Sequence, residues 1–337
     1  MPISLTHQCL EFSKRLLSMQ TRKSLSSNAF LMPTILLMSL LCLSSAQALT
    51  FHPRMDQAKW LPDSHVLQCQ LTQPIPSFGR AVFDSSAGQP LRFYLQSVSS
   101  AMSQGQALLQ SEAPTWNPAL ATVNLGLVKV IQGETPINLD AALADQLLNE
   151  LYLGKSPHFI RRSKHSEARP TEQLVDVEQA RMMDSSIIKV GLSSVHFRAA
   201  YSQYLQCLEQ LMPVGFEQLS RSRVHFEADQ WQLNAKTMDW LNTIVRYVEA
   251  DTEVKQLYID GYTDDLRSGS YNSQLSKKRA EAVAAYLIEK GISAEQVTTR
   301  FHGERFPVAT NKTAEGRSTN RRVTIRLDKL GAAISQR

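Results

Sequence analysis

The sequence contains no internal repeat and no low-complexity tract, which argues against solenoid and fibrous architectures. It also has no apolar run of the ~20 residues that a membrane-spanning helix needs. The run from Ala29 to Leu43 is shorter and holds Pro33. Cysteine is scarce, with four residues in 337. The histidines beyond residue 48 are His52, His65, His158, His165, His196, His225 and His302, and they fall at no spacing that suits a zinc site. Neither a metal nor a cofactor is therefore expected.

What is present is ordinary globular material. Hydrophobic residues make up 43% of the chain and charged residues 20%, a balance that excludes wholesale disorder and a multi-span membrane protein. The length suits about two domains of ~100 to 200 residues each. The formal charge of +5 is partly local: Lys14, Arg15, Arg22, Lys23 and Glu11 all lie within the first 48 residues, and +2 remains without them. A nucleic-acid partner is therefore not expected.

The first 48 residues have the pattern of a secretory signal. Arg22 and Lys23 precede the apolar run, and Ser44-Ser45-Ala46-Gln47-Ala48 supplies small residues for cleavage after Ala48. The n-region is long, and Met19 offers a more usual start. Cys42 lacks the small preceding residues of a lipid-attachment box. Cleavage removes Cys9 and Cys42 and leaves Cys69 and Cys207 in an oxidising compartment. There an even pair is expected to close, the alternative being two buried thiols. A ring of 138 residues gives a loop-entropy stabilisation of about 4 to 5 kcal/mol.

Residues 49–215 read as one strand-rich unit. Leu91, Phe93 and Leu95 alternate with polar neighbours, and the stretches from Leu125 to Ile131 and from Ile187 to Leu192 are further strand candidates. Two helices are expected. One runs from Ala141 to Leu153 behind Asn138 or Asp140 as cap; the other runs from Phe197 to Leu211, is stopped by Pro213 and carries Cys207. The polar stretch from Lys155 to Glu172, with Arg161, Arg162, Lys164, His165 and Arg169, is either a solvated loop or a contact patch for a partner. Ser220 to Arg223 marks a polar boundary that few contacts should cross.

From residue 223 to 330 the order is β-α-β-α-β-β, with helices on one face of a small sheet. This topology joins Gly261-Tyr262-Thr263-Asp264-Asp265, at a strand end, to the segment from Asn272 to Ala280, which enters a long helix. Asp264 and Arg279 are then expected to face each other, near the positive field of the helix N-terminus. They form either an internal ion pair or a cleft for a zwitterion such as diaminopimelate, its ammonium on the aspartate and its carboxylate on the guanidinium.

Asn272, Leu275, Ser276, Arg279, Ala280 and Val283 spell N-x-x-L-S-x-x-R-A-x-x-V, preceded by Thr263-Asp264 and followed by Asn320-Arg321-Arg322-Val323, with Gly303 and Pro307 between. On these motifs residues 223–330 resemble an OmpA-like peptidoglycan-binding domain. The resemblance implies that Asp264 and Arg279 hold diaminopimelate and that Thr263, Asn272, Leu275 and Arg321 line the site. Tyr262 and Asp265 depart from the family's more usual His and Asn. The block from Gln68 to Phe83, and Leu192 to Phe197 continuing through Tyr201 and Cys207 to Phe216-Glu217, resembles the N-terminal domain of the MotY family of flagellar motor proteins. That resemblance implies a bridge between Cys69 and Cys207, ring formation around the flagellar basal body (the T ring), and contacts with basal-body ring and stator proteins.

The expected architecture is α+β: a signal peptide (1–48), a mainly antiparallel β domain with a few helices (49–215), and an OmpA-like sandwich (223–330). The expected role is a periplasmic, outer-membrane-associated anchor in the flagellar motor. The alternative is a general tether to the cell wall with no motor role. An enzyme is not expected, because Asp264 and Asp265 are adjacent on an extended chain and point to opposite faces, whereas hydrolytic carboxylates flank one bond.

Overall fold

The structure, a computed structural model, describes residues 49–98, 102–114, 117, 119–162 and 187–329. The signal segment, with Cys9 and Cys42, lies outside the described residues, as do Lys164, His165 and Arg169.

The N-terminal domain is built on two five-stranded sheets. One has the order β1 (Leu49–Phe51), β10 (Ile187–Gly191), β9 (Ser156–Arg162), β6 (Gly105–Glu112), β7 (Val123–Val130). The other runs β2 (Leu61–His65), β3 (Gln68–Ile75), β4 (Gly79–Ser86), β5 (Arg92–Ser97), β8 (Ile137–Leu139). All neighbouring strands are antiparallel except β1 and β10. Alternation drives the packing: Cys69, Leu71 and Ile75 of β3 and Phe93 and Leu95 of β5 are all buried, with polar residues between them. Phe93 of one sheet stacks on Phe159 of the other at 5.8 Å, which closes the two faces over one core.

Both expected helices form. α1 (Ala141–Tyr152) is capped by Asp140, whose carboxylate accepts from Leu143 N at 3.0 Å. α2 (Phe197–Gln210) buries Phe197, Ala200, Tyr204 and Cys207. Cys207 is disulfide-bonded to Cys69, with Cα atoms 5.9 Å apart, so the bridge staples α2 to β3. Buried Gln73 is paired at both ends of its amide, accepting from Ser193 N at 2.8 Å and donating to Ser193 O at 2.9 Å.

Two local expectations are corrected. The stretch from Lys155 begins as the strand β9, not a solvated loop: Lys155 is buried against Glu150 at 2.9 Å, and the Arg161 guanidinium donates to the carbonyls of Ser103, Gln104 and Gln106. Nor is Ser220 to Arg223 a sparse linker. Arg221 opens a strand, β11 (Arg221–His225), whose Ser222 and Val224 turn inward while Arg221 and Arg223 turn out. Just before it, α3 (Phe216–Leu219) belongs to the second core, and Met212 N donates to Val66 O at 2.9 Å. Ala87 and Met212 are buried in that second core as well, so contacts do cross here.

Beyond β11 come α4 (Ala235–Ala250), β12 (Val254–Gly261), α5 (Gly269–Glu289), β13 (Val297–Phe301), α6 (Ala314–Asn320) and β14 (Arg322–Lys329). The sheet order is β11-β14-β12-β13, with β12 and β13 parallel and the other pairs antiparallel. Leu241, Ile244, Val283 and Leu287 of α4 and α5 pack on Leu257, Ile259, Val323 and Ile325 of the sheet. Gly291, at φ 116°, terminates the long helix. The short α6 is absent from the sequence expectation, since seven residues of mixed character give no periodic signal.

Candidate functional site

The C-terminal end of β12 meets α5 closely enough that a Cβ on Gly261 would lie 2.1 Å from Ser276 O. This contact sets where the following residues go. Thr263 N donates to Gly303 O at 2.8 Å, and Gly303 N donates to the Ser276 hydroxyl at 3.0 Å, so strand end, turn and helix are tied in a ring. Gly303 adopts φ 60°, a conformation that suits glycine. Asn320 accepts from Val308 N at 2.8 Å and donates to Ala309 O at 2.8 Å, which fixes the loop ahead of β14 and thereby Arg321.

Thr263, Asp264, Asn272, Leu275 and Arg279 are buried, and Arg321 is partly so. The structure brings all six to one region, but the pairing differs from expectation. Asp264 pairs with Arg321 at 3.1 Å and not with Arg279. Arg321 is held in turn by donating to Phe226 O at 3.0 Å. The Arg279 guanidinium is fully buried and donates to three backbone carbonyls: Gln230 at 2.8 Å, Tyr262 at 3.1 Å and Glu227 at 2.9 Å. Those carbonyls belong to the loop after β11 and to the strand end, so Arg279 fastens the two walls of the site together. Burial lowers its pKa to about 10, and the nearby charge of Asp264 opposes the fall; it stays cationic at neutral pH.

The helix entry also differs. α5 begins at Gly269, with Ser268 accepting from Tyr271 N, so Asn272 lies inside the helix and its own N–H is spent on Ser268 O at 2.9 Å. Its side-chain amide donates to Glu304 at 2.6 Å and to Arg267 O at 3.0 Å. Asn272 Oδ1 and Thr263 Oγ1 are buried without a protein partner, both on residues of this site. Asp229 and Arg267 pair at 2.6 Å on the rim, and Lys278 sits 4.6 Å over the Trp231 ring. Sequence reasoning missed Glu304, Asp229 and Gln230; each stands more than 30 residues from its partner, and no local pattern marks them.

Chemically, the arrangement is one carboxylate, one guanidinium at its side and a second guanidinium behind. A ligand bearing both an ammonium and a carboxylate can replace the internal ion pair with two of its own. Asp265 is exposed while Asp264 is buried, so the two carboxylates do not flank a common space. Among the described residues no cluster of metal-ligating side chains occurs.

The comparisons with known proteins match both halves. Residues 51–213 match the MotY N-terminal domain, and residues 225–321 match the OmpA family. The "Sodium-type flagellar protein MotY" of Vibrio parahaemolyticus is 29% identical over 278 residues, covering 81% of this chain and 88% of that protein. The "Outer-membrane lipoprotein YfiB" of Pseudomonas aeruginosa is 38% identical over 137 residues, covering 41% of this chain and 79% of that one. Among solved structures, the C-terminal domain of Helicobacter pylori MotB is 25% identical with a TM-score of 0.30, covering 32% of this chain and 84% of that one.

Proposed function

This chain belongs to the OmpA family through its C-terminal domain and carries a MotY N-terminal domain ahead of it, and from that premise we propose that it anchors a flagellar motor to the cell wall. In this reading it is exported to the periplasm and joins the T ring beneath the outer membrane. Its N-terminal domain docks on basal-body ring and stator proteins, and its C-terminal domain holds peptidoglycan without cutting it. The ligand group is the zwitterionic end of diaminopimelate. Its ammonium takes Asp264, and its carboxylate takes Arg321 in front of Arg279. Thr263 and Asn272 offer the unpartnered atoms, and Leu275 packs beneath.

The observation that carries the reading is the Asp264–Arg321 pair at the end of β12, backed by a buried, cationic Arg279. A weak grip per subunit suffices, because a ring of copies multiplies attachment through effective concentration. The motor role is tested with a fluorescent fusion: foci at flagellar bases and poor swimming of a strain lacking residues 221–329 support it. Even spread around the cell with normal swimming contradicts it.

A further inference from the structure

The helix-free face of the C-terminal sheet carries a second feature that the peptidoglycan reading does not use. Across the four strands, Arg223 of β11 opposes Thr324 of β14, Thr324 opposes Asp260 of β12, and Asp260 opposes Arg300 of β13. The adjoining row holds Arg221, Arg326 and Tyr258. Outward side chains from these two rows line a pocket of about 190 Å³.

Four arginines meet one carboxylate in this pocket. That carboxylate is already answered: Asp260 accepts from Arg300 at 2.7 and 2.8 Å and contacts His302 at 2.8 Å. Arg223 and Arg326 are exposed, and neither forms an ion pair among the described residues. The Tyr258 ring lies 4.3 Å beneath the Arg326 guanidinium and 5.1 Å beneath that of Arg300, which orders both forks; the Arg300 fork is spent on Asp260, while the Arg326 fork faces solvent. The arginines on β11 and β14 that sit diagonally across the pair are about 7 to 8 Å apart at the backbone, within reach of one shared anion. None of the exposed large apolar side chains lines the pocket, so a protein hot spot has no anchor here.

We propose that this face is a binding site for a phosphate group, held by Arg223 of β11 and Arg326 of β14 with the Thr324 hydroxyl, opposite Arg223 on β14, beside them. Planar guanidinium forks pair bidentately with phosphate oxygens, and a compact polyanion fits the pocket better than a carboxylate side chain presented by a protein. The site is separate from the Asp264 cleft and does not depend on it.

The test uses the full-length secreted chain at low ionic strength in a phosphate-free buffer. Inorganic phosphate is titrated by calorimetry. In parallel, vesicles of phosphatidylcholine, with and without phosphatidylglycerol, are sedimented with the protein. The expected result is a phosphate response that weakens at least tenfold in an Arg223→Gln, Arg326→Gln double variant of unchanged circular dichroism, and that survives in Asp264→Ala. Co-sedimentation with phosphatidylglycerol vesicles that the double variant loses assigns the phosphate to a lipid headgroup. A response to phosphate without vesicle binding assigns it to a soluble phosphate ester. No response of the wild type to phosphate, an equal response in the double variant, or binding of polyglutamate in place of phosphate overturns the proposal.

Discussion

Arg279 holds three carbonyls from two segments and is wholly buried, so its replacement acts on folding before it acts on binding. Truncation to alanine leaves those acceptors unpaired in the interior and is expected to cost about 3 to 5 kcal/mol, measured by urea unfolding. Lysine does not rescue it, because a single ammonium cannot span carbonyls at residues 227, 230 and 262. His158 contributes a pH-dependence to the other domain. Burial, helped by the charge of Lys189 and opposed by that of Glu112, lowers its pKa from 6.5 to about 4. The folded state therefore disfavours the proton that the unfolded chain accepts. The stability this residue contributes is present above pH 6.5 and is lost as the pH falls from there towards 4. His158→Gln is expected to flatten that decline in a thermal-melt series, and an unchanged slope counts against this origin. At this scale the position of Asp264 at the end of β12 was legible because its motif is local. Its pairing with Arg321, 57 residues away, was not, since only the folded sheet sets that meeting.

Helices and strands were legible wherever burial is one-sided. The alternation around Phe93 and the helical stripe from Phe197 gave nearly the observed elements. Failures came where polar residues serve structure. Ser222 sits inward on β11 and donates to Leu219 O at 2.9 Å, so a strand looked like a linker. The start of α5 was hidden because Gly269 and Ser270 are weak helix formers held by a serine cap and by tertiary packing. Gly261 tests how closely that helix must approach its strand. An alanine there collides with Ser276 O, and Gly261→Ala is expected to lose about 1 to 3 kcal/mol in unfolding experiments and to weaken wall binding with it. The staple between α2 and β3 gives a parallel expectation: Cys207→Ser lowers stability by on the order of 4 kcal/mol through the released 138-residue ring, and added reductant has no further effect on that variant.

Over the whole molecule, a β-rich domain with its own core leads into an OmpA-family domain, and the junction is not a loose tether. Ala87, Leu67 and Met212 contribute to the second core, and Gln218 donates to Gly88 O at 3.0 Å. A linkage of this kind transmits load between whatever each domain grips, which suits the anchoring role proposed above. The central claim is that a charge-matched end of peptidoglycan is held at Asp264. The most direct measurement is retention of the purified chain on isolated sacculi, with and without free diaminopimelate, for the wild type and Asp264→Ala. The account predicts strong wild-type retention that free diaminopimelate competes away and that the variant has lost while remaining folded. Equal retention of the folded variant, indifferent to the competitor, would contradict it.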